Sequence, residues 1–217
     1  MLRHRLSSLH RQRAQAVTEF VVAWPIILLA ICFITQLLWL WWAQQTLHTA
    51  TQYAVRVGAI NHGNQSKMRN MLILGMAGVK PQLQHSEAVA AATEAVVEQG
   101  IHYALYGRLK VLQPTKQDFQ RFAERRWDNE QRRYIREIAV DHYAARQAQE
   151  DSEAWAKARV LRIETQWCED LTIPLVAEFL GQLALWRGNC VLGNGQGRPQ
   201  WPLSSSAQHE MLSGYRR

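Results

Sequence analysis

Glu19 is the residue whose type and place most invite chemistry. It is the only acid among residues 1–43, and it stands at the edge of an apolar run, Phe20–Ala43. An ionisable side chain carried to the centre of a bilayer costs on the order of 2.5–3.5 kcal/mol on insertion scales. Two placements limit that cost. The carboxylate can sit at the headgroup boundary near Arg13, or it can meet a cationic partner, since in lipid each charge alone is expensive. The other reactive side chains assemble no familiar centre. The eight histidines are scattered with no H-E-x-x-H pair, Cys168 and Cys190 alone make no zinc site, and there is no G-x-S-x-G. Gly193-Asn194-Gly195-Gln196-Gly197 runs into Arg198-Pro199 and not into a helix, so it reads as turn geometry and not as a phosphate loop. The sequence carries no signature of catalysis, of a cofactor or of a metal.

The element that must position Glu19 is the run that follows it. Phe20 to Ala43 are 24 residues without a charge, interrupted in polarity only by Thr35 and Gln36. At about 1.5 Å per residue a helix of this length crosses the roughly 30 Å hydrocarbon core of a bilayer. Arg3, Arg5, Arg11 and Arg13 precede the run with no acid among them, which predicts a cytoplasmic N-terminus. Trp39, Trp41 and Trp42 gather where the helix should leave the membrane, the level that indole prefers. A secretory signal would be shorter and end in a small-x-small site, but Trp41 and His48 occupy the −3 position for a cut after Ala43 or Ala50. The apolar segment is therefore expected to stay attached, with the rest of the chain outside.

From residue 44 on there are 21 basic and 17 acidic residues, a balance that offers little for nucleic acid. The expected fold is α+β and mainly helical: a basic leader (1–14), a membrane helix with an outward extension (15–60) and one small domain (61–217). In the extension, Ala43, Leu47, Ala50, Ala54, Val57 and Gly58 form a small-residue stripe, fit either to dock on the chain's own domain or to pack against other helices. Asn61–Asn64 reads as a turn, 65–78 as a short helix, and 86–106 as a helix with Ser86 as cap and Glu87 in its first turn. Residues 115–158 hold nine basic and nine acidic residues and no Gly or Pro. They predict one long polar helix with i,i+4 pairs (Asp128–Arg132, Arg133–Glu137, Glu153–Lys157) and a buried stripe of Phe119, Phe122, Ala123, Trp127, Tyr134 and Ile138, with His142 near that face. Leu161, Ile163, Thr165 and Trp167 then alternate with polar residues, the period of a half-buried strand. Pro174 opens a helix near 175–186 that Gly188 ends, and 188–217 reads as irregular or short-stranded surface.

Arg13-Ala14-Gln15-Ala16-Val17-Thr18-Glu19-Phe20 resembles a prepilin-peptidase site: a basic leader, a small residue, a glutamate five places on, then an aromatic and the apolar helix. More specifically, Gln15, Ala16, Glu19, Phe20 and the early Pro25, followed by Gln45-Thr46-Leu47 and Ala54-Val55-Arg56-Val57-Gly58, resemble the TadE-like minor pilins (pseudopilins) of the Flp/Tad pilus system. The resemblance covers residues 11–60 and returns at Trp167-Cys168 to Pro174-Leu175 and at Trp201-Pro202-Leu203; Ala14 stands where that family usually has glycine. It implies cleavage between Ala14 and Gln15, Glu19 as the fifth mature residue paired with a neighbouring subunit's α-amino group, and Phe20 as the aromatic that follows. It implies an inner-membrane protein with a periplasmic head, no enzymatic activity, and prepilin peptidase, other pilins and the inner-membrane assembly platform as partners. The rival expectations are an uncleaved signal-anchored assembly protein and a membrane-tethered enzyme. In an oxidising periplasm Cys168 and Cys190 are expected to pair, the alternative being two buried free thiols. A bridge over that loop would stabilise the head by about 3 kcal/mol in the chain-entropy model. Cys32, inside the span, reads as an inert apolar residue.

Overall fold

A computed structural model describes residues 2–79, 88–129, 131–147, 152–186, 190 and 199–217. Its spine is α1 (Leu2–Ile60), one helix with Pro25 inside it. From Glu19 to Ile31 every side chain of α1 is exposed; from Cys32 outward one face is covered. The cover begins with α2 (Gln65–Met76), which folds back along α1 after a tight turn. Asn64 caps α2, its Oδ1 accepting from the Ser66 and Lys67 amides at 3.0 and 3.2 Å. Gly63 takes a positive φ of 73° in that turn, a conformation open to glycine. Met68, Leu72 and Met76 are buried against Ala43, Leu47, Ala50 and Ala54 of α1. The two helices come close because their contact residues are small: a Cβ on Gly75 would lie 2.6 Å from the Ala50 Cβ. The small-residue stripe thus docks on the chain's own domain.

The second layer is a three-stranded antiparallel sheet in the order β1 (Arg108–Gln113), β4 (Val160–Asp170), β5 (Gln200–Glu210). The period-2 reading of the central strand holds: Leu161, Ile163, Thr165 and Trp167 are all buried. α3 (Ala88–Tyr106) packs on this layer, where the His102 ring stacks on Trp167 at 5.1 Å and its Nε2 lies 2.6 Å from the Cys168 carbonyl. The expected cap residues Ser86 and Glu87, the terminating Gly188 and the Gly193–Gly197 turn lie outside the described residues. α7 (Pro174–Trp186) follows β4 and lies against α1.

Two expectations are overturned. The tail is not irregular: residues 200–210 form an eleven-residue strand paired along the whole of β4. Three serines and a proline disguise it, and Pro202 is tolerated because β5 is an edge strand, where a missing N–H need cost no ladder bond. Nor is 115–158 one helix. It breaks into α4 (Lys116–Phe122), the hairpin of β2 (Ala123–Asp128) and β3 (Arg133–Ile138), α5 (Tyr143–Gln147) and α6 (Ser152–Ala158), with β6 (Tyr215–Arg216) completing a second sheet beside β3. Ile138 of the expected stripe is buried, but Trp127 and Tyr134 are 53% and 58% exposed, and His142 is exposed at a φ of 54°.

The reason is a set of partners distant in sequence. The hairpin register sets Arg125 opposite Arg136 and Glu124 opposite Glu137, pairs that would repel if left alone. Glu124 meets Arg146, Arg125 lies over the Tyr134 ring at 4.6 Å, and Arg136 lies over Phe119 at 5.7 Å. Arg216, from the end of the chain, binds both Glu137 (2.9 Å) and Asp128 (2.6 Å), and both carboxylates are buried. Charge-assisted bonds to buried carboxylates outweigh the few tenths of a kcal/mol that each exposed i,i+4 helix pair would contribute.

Candidate assembly segment on the N-terminal helix

Ala14 and Gln15 lie within α1, on the same unbroken helix as Glu19. The helix carries Glu19 and Phe20 outward, and Phe20 stacks on Trp24 one turn on, ring centroids 5.6 Å apart. Glu19, Val22, Ala23 and Ile26 line a shallow open groove. Thr35 turns its hydroxyl back to the Ile31 carbonyl at 2.8 Å, so that this exposed polar group is satisfied within the helix.

Gln36, read from sequence as an interruption of the lipid-facing surface, is buried instead. Its Oε1 accepts from the Ile173 amide at 3.1 Å and the Thr172 amide at 3.3 Å, just ahead of α7. The first amides of a helix have no partner inside it, and here a side chain from another element supplies one. A glutamine within an apolar run, together with a helix start at Pro174 that lacks a Ser, Thr, Asp or Asn immediately before it, was the available signal. Phe33 and Leu40 pack with Gln36's neighbours Val176, Ala177 and Leu180, and Trp39 Nε1 donates to Glu169 Oε1 at 3.3 Å. Trp41 and Trp42 stay exposed.

Further out, α1 is fixed to the head by polar bonds around an apolar centre. Gln44 Nε2 donates to the Ser204 carbonyl at 2.9 Å and His48 Nδ1 lies 3.2 Å from Ser205 Oγ. At the buried seam the Thr51 and Thr165 hydroxyls meet at 2.7 Å, Thr51 also reaching the Leu47 carbonyl. The helix and the head therefore present themselves as one packed body outward of residue 40.

The structure joins Cys168 to Cys190 in a disulfide with Cα atoms 5.7 Å apart. The bridge encloses α7, tying Cys190, four positions beyond Trp186, to Cys168 near the end of β4. Cys32 is a free, half-buried thiol on the apolar face under α7. Away from the span, Arg146 donates to Glu124 and holds its carboxyl below the ordinary range, and Arg126 does the same for Asp141. Those groups tie the hairpin to α5. Among the described residues no three His, Cys, Asp or Glu side chains gather as a metal site.

The geometry thus offers a bare apolar helix, an acid at its inner edge and a head locked to its outer end. Residues 14–56 match the family model described as TadE-like protein. No curated protein and no solved structure matches the chain.

Proposed function

We propose that this TadE-like chain is a minor pilin, or pseudopilin, of a Tad-type pilus, anchored in the inner membrane by α1 before it enters the fibre. Its leader is cut between Ala14 and Gln15 by prepilin peptidase. Glu19 becomes the fifth residue, followed by Phe20, and its carboxylate pairs with the new α-amino group of a neighbouring pilin. The four leader arginines keep the N-terminus cytoplasmic, and residues 61–217 form the periplasmic head. The role is structural: initiation, capping or assembly, in contact with other pilins and the inner-membrane platform.

The observation that carries this reading is coincidence of extent. The family match at 14–56 falls on one helix whose inner part is bare and apolar and whose outer part is built into a head. A pilin-like subunit needs both: a helix free to exchange lipid for neighbours, and a domain that travels with it. The Cys168–Cys190 bridge suits an oxidising compartment. Ala14, where glycine is usual, favours the second reading, an uncleaved signal anchor with the same topology.

The N-terminal residue of the membrane-extracted protein separates the two. Gln15 at the N-terminus, and a retained leader in Ala14→Leu, are the expected results; a protein from peptidase-positive cells that still begins at Met1 moves the assignment to the uncleaved anchor. Glu19→Gln should insert at least as well as the parent, a neutral amide being cheaper in lipid, yet co-purify poorly with pilus components because the partner amine is left unpaired. Incorporation of that variant at parental level would end the pairing idea.

A further inference from the structure

α7 packs against α1 on one side and leaves its other side uncovered. We infer that it lies in the outer part of the bilayer that α1 crosses, with the row Leu175–Phe179–Leu183 against acyl chains. The inference rests on α1 being a membrane helix and goes beyond it, because nothing about a single span requires the head to enter the membrane.

The first support is depth. A hydrocarbon core of roughly 30 Å takes about 20 helical residues, so a core that begins at Phe20 ends near Trp39. Only Phe20–Ile31 are bare on all sides, a length of about 18 Å at the helical rise. The rest of the crossing, from Cys32 to Leu40, is covered on one face by α7 and the segment Leu171–Ile173 ahead of it. At that depth α7 shares the surface that faces the bilayer.

The second support is the face that α7 turns outward. Val176, Ala177, Leu180 and Ala184 are buried in the protein. The opposite side divides into two rows with a four-residue step. Leu175, Phe179 and Leu183 are 74%, 58% and 41% exposed, while Glu178 and Gln182, also exposed, run beside them. Glu178 is the single charge in the sequence of α7. An apolar row bordered by a polar one is the pattern of a helix lying in the plane of an interface. In water those three large side chains would stand as exposed apolar area.

The third support is the way the backbone ends. In lipid a backbone N–H must find its partner inside the protein. The two amides ahead of α7 do so through Gln36, a residue of the span itself. Just before them in the chain come Glu169 and Asp170, the latter bonded to Gln200 at 2.8 Å, and Trp39 reaches Glu169. Carboxylates, an amide and an indole N–H near one level mark the headgroup boundary, and α7 begins close to that level.

The test uses the full chain in vesicles of phosphatidylcholine and phosphatidylglycerol, with Cys32→Ser as background and one environment-sensitive fluorophore on an introduced cysteine. Positions are Leu28→Cys in the bare span, Phe179→Cys and Leu175→Cys on the apolar row, and Gln131→Cys on the distant hairpin. Lipids carrying a spin label high on the acyl chain report contact. The expected result is quenching at Phe179 and Leu175 about threefold stronger than at Gln131, with Leu28 reached best by spin labels deep in the chain. Two labels on one row guard against local misfolding from either substitution. Quenching at Leu28 with none at 179 or 175 overturns the inference and leaves the membrane helix standing. If the labels at 179 and 175 instead cross-quench between copies, the row is a protein interface and the inference falls. No quenching at Leu28 removes the membrane helix, and the inference with it.

Discussion

The two halves of α1 are one helix in two settings, bare in its N-terminal half and covered by the head in its C-terminal half. Between Phe20 and Ile31 its side chains are mostly large, apolar and exposed; between Ala43 and Ala59 the inward face is mostly small and wholly buried. For the bare half, the proposed membrane anchor, transfer to lipid would set identity, which asks for apolar area and is indifferent to shape. In the outer half identity is set by contact, since α2 and β4 must come within side-chain reach. There a Cβ added to Gly58 would collide with Met68 and sit 2.8 Å from Leu161. Hydrophobicity alone does not distinguish the halves; the tolerance for a change of volume does.

That difference predicts unequal answers to the same substitution. Leu47→Ala empties a fully buried site between α2 and the sheet and should cost the head about 3 kcal/mol. Leu28→Ala, on the bare stretch, should leave head stability within about 0.5 kcal/mol. Denaturant unfolding in detergent, followed by head tryptophan fluorescence, measures both; equal losses would mean that the two halves are not separate environments.

Gln36 sits where the halves meet and sharpens the boundary. Gln36→Leu keeps the burial and removes the acceptor from the Ile173 and Thr172 amides, which should cost about 1–3 kcal/mol, felt at α7. Hydrogen exchange at the start of α7 should rise while the Thr51–Thr165 seam stays protected. Unchanged exchange at Ile173 would show that the amides have another partner.

The smallest effect is expected far from α1. Bonds from Arg146 and Arg126 depress the Glu124 and Asp141 pKa values, so the stability these carboxylates contribute is present above their unfolded values and is lost as pH falls through the folded ones. With unfolded carboxylates near about 4, loosening of the β2–β3 hairpin should begin below that pH, not above it. Exchange corrected for intrinsic rates, compared between neutral and acid solution, should show it first at Ala123–Asp128 and not at the α1–β4 seam. Loss beginning at the seam would reverse the assignment.

The sequence alone determined whatever depends on local period or on bulk solvent. The length of the apolar run made a helix long enough to cross a bilayer, the alternation of Leu161, Ile163, Thr165 and Trp167 made the central strand, and the Asn61–Asn64 turn and Pro174 bounded helices that the structure keeps. Only the tertiary structure decided what depends on partners remote in the chain. It turned 123–138 into a hairpin because Arg216 lies 79 and 88 residues from the acids it binds. It made a strand of the serine-rich 200–210 because β4 offered an edge, and it buried Gln36 of the apolar run because the start of α7 needed an acceptor 136 and 137 residues away. Periodicity reports which face of an element is apolar; it does not report what will cover that face, and here the cover decides between helix and strand, and between lipid and protein.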